Sequence, residues 1–259
     1  MEKWKQFEID CCEYLNDTYG SANLEFVHAG FSDSTAPDII CKMSNGSSLN
    51  IEAKSAVSQC GQFVVSNKDD KFIFSSKNKS DASIASEIIE YMNDNYTQFV
   101  NATTAGEPIA LPNQILWNWV KKYYQAKGTK FFITKGQEGY VICETEQIDK
   151  YFDISSTYRI KRSGTGDVPK KDADNVRELF DGNSSVYIGK KLHIKSDACH
   201  EIKTSRHIGD YDYFLSEENE NGYYIRRQSN TFGVNVIFSI SLISNQEPED
   251  LQKFKDAIK

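Results

Sequence analysis

The stretch that decides the fold is Pro37-Asp38-Ile39-Ile40-Cys41-Lys42-Met43-Ser44-Asn45-Gly46-Ser47-Ser48-Leu49-Asn50-Ile51-Glu52-Ala53-Lys54. Side chains along a strand alternate faces, so DIICKM and SLNIEAK read as two strands joined across Ser44-Asn45-Gly46. A two-residue Asn45-Gly46 turn would set Ile39 against Glu52 and send Asp38 to the wrong face. A three-residue loop with Gly46 left-handed sets Asp38 against Glu52. That second register gathers Ile39, Cys41, Met43, Leu49, Ile51 and Ala53 on one face. Asp38, Lys42, Asn50, Glu52 and Lys54 share the other, with Ile40 the exception. A one-residue slip scrambles both faces. The pattern therefore predicts a G1-bulged hairpin with Asp38 opposite Glu52.

Two carboxylates and a lysine on adjacent strands suit phosphodiester hydrolysis. Mg²⁺ prefers oxygen ligands and is usually held by one or two carboxylates, with waters completing its shell. It polarises a phosphoryl oxygen and acidifies a bound water, and a neighbouring lysine orients that water or stabilises developing charge. The plain alternative is a surface hairpin whose Glu52 and Lys54 are solvated. A third acid is sought on the preceding segment, where Trp4, Phe7, Cys11, Tyr14 and Leu15 recur at helical spacing over residues 4–16. At about 100° per residue, Glu8 lies about 60° from the centre of that stripe and Glu13 about 160°. Glu8 is thus the candidate metal-site or supporting acid, and Glu13 faces solvent.

Outward from the hairpin, strands are expected at 24–29, 62–66, 71–75, TKFFIT and GYVICE, and helices over 80–96, from Pro112 to about 125, and near 146–152. Past 156 the texture becomes strand-rich, with a helix over 170–181 and strands YRIKR (158–162), YYIRRQS (223–229) and VNVIFSISLI (234–243). The expectation is an α/β core over 1–156 and a β-rich region over 157–259 packed on it. The 259 residues are 39% hydrophobic with a net charge of −7, which excludes a bulk polycation. The apolar run VIFSISLI is far short of the ~20 residues a membrane span needs, and MEKWKQFE lacks the apolar core of a secretory signal. The six cysteines form no CxxC pair. They read as small buried hydrophobes of a reducing cytoplasm.

Pro37-Asp38 followed by Glu52-Ala53-Lys54, behind a helix bearing Glu8 and a strand, resembles the PD-(D/E)xK nuclease superfamily and, within it, type II restriction endonucleases. The resemblance covers roughly residues 4–75. It implies a restriction-endonuclease-like fold, a central mixed sheet flanked by helices, and Mg²⁺-dependent, sequence-specific cleavage of double-stranded DNA. On the matching positions Asp38 and Glu52 would hold metal and Lys54 would assist the water. It also implies that a glutamine after the lysine, Gln62 or Gln59, supports the site, and that a cognate DNA methyltransferase works alongside.

DNA contacts are sought where the charge turns. Residues 157–207 hold 11 Lys/Arg against seven Asp/Glu, a net +4. Arg159, Lys161, Arg162 and Ser163 lead into a glycine-rich turn suited to phosphate. Arg226, Arg227, Gln228 and Asn230 are residue types that read guanine and adenine edges, set in an RRQSNT–NVIFSISL hairpin. A palindromic target would call for a two-fold homodimer, with Ile115, Leu116, Trp117 and Trp119 on the helix from Pro112 as its interface. Two other functions compete: a structure-specific repair or recombination nuclease on this fold, and a non-catalytic DNA-binding protein.

Overall fold

A computed structural model describes residues 3–30, 36–102, 105–162, 164–229 and 232–259, the side chains of 161, 162, 229 and 232 excepted. The apolar stripe near the N-terminus forms helix α1 (Lys3–Tyr19), followed by strand β1 (Leu24–His28) and the hairpin β2 (Ile39–Met43) and β3 (Ser48–Ala53). Its register pairs Ile39 with Ile51 and Cys41 with Leu49, which carries Asp38 opposite Glu52. Gly46 has φ 82°, the Met43 N–H donates to Ser47 O and the Gly46 N–H donates to Met43 O, as a three-residue loop with a left-handed glycine requires.

The chain continues through β4 (Val57–Lys68), β5 (Lys71–Phe74), α2 (Ser86–Asp94), α3 (Tyr96–Val100), β6 (Glu107–Pro108) and α4 (Asn113–Ala126). Then come β7 (Thr129–Lys135), β8 (Tyr140–Glu144), α5 (Ile148–Tyr151) and β9 (Phe152–Arg162). The helix expected over 80–96 is a 3-10 turn at Ala82–Ala85, α2, and a break at Asn95 before α3. A strand-rich stretch follows: β10 (Thr165–Asp167), α6 (Ala173–Leu179), β11 (Gly182–Ile188), β12 (Lys191–Ser196), β13 (Ser205–Ile208), β14 (Tyr211–Asn219) and β15 (Gly222–Ser229). The chain closes with β16 (Phe232–Leu242) and a helix not foreseen from the sequence, α7 (Pro248–Ala257).

The chain divides into two compact units, Met1–Arg159 with Val234–Lys259, and Ile160–Gly233. Residues 234–259 thus fall with the first unit rather than with the strand-rich region expected over 157–259. In the first unit a mixed sheet runs β1-β2-β3-β7-β8, with β3 and β7 parallel and the other neighbours antiparallel. One face buries Ile39, Cys41, Ile51, Phe131 and Ile133 against Cys11 and Leu15 of α1 and Phe254 of α7. On the other, Phe132 meets Tyr124 of α4 edge-on at 4.7 Å. A second sheet runs β5-β4-β16-β9-β6.

The second unit is a six-stranded sheet, β11-β12-β15-β14-β13 with β10 added on β15. Its core joins Leu192, Ile194, Leu215 and Ile225 to Val176 and Phe180 around α6. The hairpin expected from RRQSNT–NVIFSISL is corrected here: β15 is flanked by β12 and β14, whereas β16 lies between β4 and β9. The expected dimer helix is corrected too. Leu116, Trp117 and Trp119 of α4 are buried inside their own unit, with Trp119 stacked on Tyr123 and Phe238, so these three side chains are not a surface for a second copy; Ile115 is half-buried. No helix among the described residues is long and apolar enough to cross a membrane.

Candidate active site

Asp38, at the entry to β2, and Glu52, near the end of β3, are 9% and 3% exposed. The reading of a solvated hairpin is thereby excluded. Asp38 Oδ2 accepts the Ala53 N–H at 2.9 Å, so the carboxylate is fixed by the strand that carries its partner. Lys54 donates from Nζ to Glu52 Oε1 at 2.6 Å and to Asp38 Oδ2 at 3.5 Å. Its own N–H continues the parallel ladder onto Ile133 O at 3.0 Å. Burial works against the Lys54 charge, yet Glu52 and Asp38 outweigh it and hold the ammonium above the usual lysine range. Burial pushes the Asp38 carboxyl up to about 6. Lys54 pulls against that rise, and Glu52 and Glu8 add to it.

Glu8 is buried on α1 and meets His28 Nε2 through Oε2 at 3.0 Å, while Glu13 is exposed. A Cβ placed on Gly30 would stand 2.7 Å from Glu8 Oε2 and 3.3 Å from Asp38 Oδ1. The glycine therefore keeps open a space bounded by two carboxylates. Gln59 and Gln62 of β4 line the same cleft as Asp38, Glu52 and Lys54, with Gln59 Nε2 donating to Gln62 Oε1 at 3.2 Å.

One residue of the cleft escaped the sequence reading. Lys127, at the C-terminal cap of α4, donates from Nζ to Glu52 Oε2 at 3.2 Å. Its side chain is only 12% exposed, lies 5.2 Å from the Tyr124 ring centroid, and its carbonyl accepts Asn50 Nδ2. Glu52 is thus held between two ammonium groups, one on each oxygen. No local signal marks Lys127; the parallel β3–β7 pairing brings it to the site.

Among the described residues no three His, Cys, Asp or Glu side chains close into a metal cage. Mg²⁺ does not need one: one or two carboxylates and several waters suffice. Asp38, beside the space that Gly30 leaves, and Glu52, opposite it on β3, could serve as a donor set of that kind.

The residues expected to touch DNA are distributed less simply. Arg159 is exposed on β9. Lys161 and Arg162 continue that strand, and Ser163 and Asn230 lie outside the described residues. Arg226 and Arg227 point to opposite faces of β15, as neighbours on a strand must. Arg227 stacks over Tyr211 at 4.2 Å and meets Asp172 at 3.6 Å on the side of the unit's core. Arg226 shares its face with Gln228 and donates to Thr165 O at 3.4 Å. Counted over the observed unit 160–233, basic and acidic residues are 12 each. Arg159 falls in the first unit, and the five acids of residues 208–233 against Arg226 and Arg227 cancel the remaining +3 of residues 160–207.

A mixed sheet covered by helices on both faces, with buried paired acids and a lysine at the edge of an open cleft, is the framework of the restriction-endonuclease-like nucleases. The solved structure of HhaI endonuclease in complex with DNA is similar to this chain, with a TM-score of 0.80 and 38% sequence identity over 99% of each chain. No family model matches the chain, and no match was found among curated proteins. At that identity and coverage, the chain belongs to the type II restriction endonucleases, site-specific deoxyribonucleases.

Proposed function

We propose that this chain is a Mg²⁺-dependent, sequence-specific endonuclease of double-stranded DNA, with Asp38 and Glu52 holding the metal. The observation that carries the reading is Lys54 Nζ, seated between Glu52 and Asp38 beside a cleft large enough for a nucleotide. When bound, Mg²⁺ polarises the phosphoryl oxygen and lowers the pKa of a bound water. The protein's own groups supply the rest. Lys54 donates to the phosphoryl oxygens as negative charge grows on them and orients the attacking water. Lys127 fixes the Glu52 carboxylate from its other side. Glu8, steadied by His28, completes the negative field at Asp38, and Gln62 borders the substrate.

Specificity is assigned to the second unit. Arg226 and Gln228 on one face of β15 are the proposed base readers. Arg159, Lys161, Arg162 and Ser163 are the proposed phosphate contacts, and Arg227 and Asn230 keep the base-reading role that the sequence suggests. Action as a homodimer on a palindrome, a cognate DNA methyltransferase in a restriction–modification pair, and a cytoplasmic setting belong to the same reading.

Incubation with plasmid DNA and Mg²⁺ tests it. Discrete fragments with one end sequence are expected. Cuts confined to junctions or flaps would instead mark a repair or recombination nuclease. DNA binding without cleavage in Mg²⁺ or Mn²⁺, alike for wild type and Asp38→Ala, would mark a non-catalytic binder.

A further inference from the structure

We infer that the turn Lys77-Asn78-Lys79 is a clamp for the DNA backbone at the mouth of the catalytic cleft. The inference rests on the endonuclease reading and adds a phosphate site on the first unit, away from the basic segments the sequence advertises.

The cleft holding Asp38, Glu52 and Lys54 encloses about 610 Å³, and Lys77, Asn78 and Lys79 form part of its wall. Both lysines are exposed. The turn between them is pinned to β4. Asn78 Oδ1 accepts the Val64 N–H at 2.7 Å, and Nδ2 donates to Val64 O at 2.7 Å and Ser75 O at 3.0 Å. The Asn78 N–H meets Ser75 O at 3.1 Å, and the Lys77 N–H meets Ser75 Oγ at 3.3 Å. Side-chain amides that stand in for backbone partners in this way fix a turn without regular structure. Two cations are therefore carried on a fixed edge rather than on a loose loop.

Electrostatics says why the cleft needs them. The first unit holds 18 basic and 25 acidic residues, and the cleft contains two carboxylates that repel a polyanion. Lys54 and Lys127 both point at Glu52. Lys77 and Lys79 line the same cleft and add positive charge to its wall. Phosphate contacts of this kind position the duplex and carry no base preference.

The test is the salt dependence of binding. Fluorescein-labelled duplexes of about 30 base pairs, in two unrelated sequences, are titrated with full-length protein in Ca²⁺ at salt from about 50 to 200 mM. Each neutralised phosphate contributes about 0.9 to the slope of log Kobs against log salt. Lys77→Ala/Lys79→Ala should flatten the slope by about 1.8, equally for both sequences. Lys77→Arg/Lys79→Arg should restore it, and Lys259→Ala should leave it as in wild type. An unchanged slope in the double alanine variant, with wild type binding and cutting DNA, overturns the clamp alone. Wild type that neither binds nor cuts DNA overturns the endonuclease reading with it.

Discussion

Two buried aspartates in the first unit, Asp38 and Asp250, make opposite use of the same chemistry. Asp250 is 1% exposed in the first turn of α7. It accepts Lys150 Nζ at 2.8 Å and Tyr151 Oη at 2.7 Å on Oδ2, and Lys253 Nζ at 2.9 Å on Oδ1. Burial alone would raise its carboxyl. The three donors outweigh burial and hold it well below the usual carboxylate range. Asp38 is nearly as buried, but it faces Glu52 and Glu8, shares Lys54 with Glu52, and is pushed up to about 6. At Asp250 the chain supplies every counter-charge the carboxylate needs, and the result is an anchor for a helix. At Asp38 the counter-charge is incomplete, which suits the cation proposed for it. The under-compensated acid belongs to the proposed catalytic centre, and the fully compensated one belongs to the architecture.

The contrast is broken most severely at Lys54. Lys54→Met should lower kcat for DNA cleavage by about 10²–10³-fold, the loss expected on removing one donor to developing charge. Steady-state cleavage of a plasmid by the folded variant reads this out. Asp250→Ala should do the reverse. Removing the carboxylate that ties Lys150, Tyr151 and Lys253 together costs about 1–2 kcal/mol, because the two lysines are half-exposed and Lys150 keeps Glu247, a Tm lower by about 2–8 °C for a chain of this size. Cleavage should keep its wild-type rate at temperatures where the variant is folded. Scanning calorimetry and a cleavage assay on the same preparation check both halves.

Smaller effects sharpen it. Lys127→Met should slow cleavage about tenfold, the weight of one charge-assisted hydrogen bond, and Lys127→Arg should recover most of that loss. The pH dependence of stability supplies the finest test. A carboxyl whose folded pKa is depressed contributes stability above its unfolded value near 4. That contribution is lost as pH falls through the folded value. The Tm gap between wild type and Asp250→Asn should therefore be constant from pH 7 to about 5 and narrow below about 4. A gap that widens on acidification would show that Asp250 is not the charged anchor described.

The hairpin and its acids were legible because a period of two over twelve strand positions leaves one register that segregates polar from apolar residues. Gly46 then decides the loop. The inward placement of Glu8 was legible from helical angles alone. Lys127 was not, since nothing in a sequence states which strand will pair in parallel with β3. The terminal helix carried its own signal, Pro248 with Glu249 and Asp250 in the first turn and Leu251, Phe254 and Ile258 at helical spacing. The strand-rich texture before it obscured that signal. Charge summed over sequence segments suggested a basic region, and the observed unit joins that segment to the acids of β14. The opposed directions of Arg226 and Arg227 follow from strand alternation and were open to prediction.

Asp38 is proposed as a carboxylate kept for a metal. The most direct measurement is the Tm of wild type and Asp38→Asn with and without Mg²⁺, paired with cleavage of the same plasmid. Wild type should gain stability as Mg²⁺ is raised, following mass action, and should cut. Asp38→Asn should fold with a Tm at or above that of metal-free wild type, show no Mg²⁺ response and fail to cut. An Asp38→Asn protein that responds to Mg²⁺ and cleaves DNA as wild type does would contradict the account.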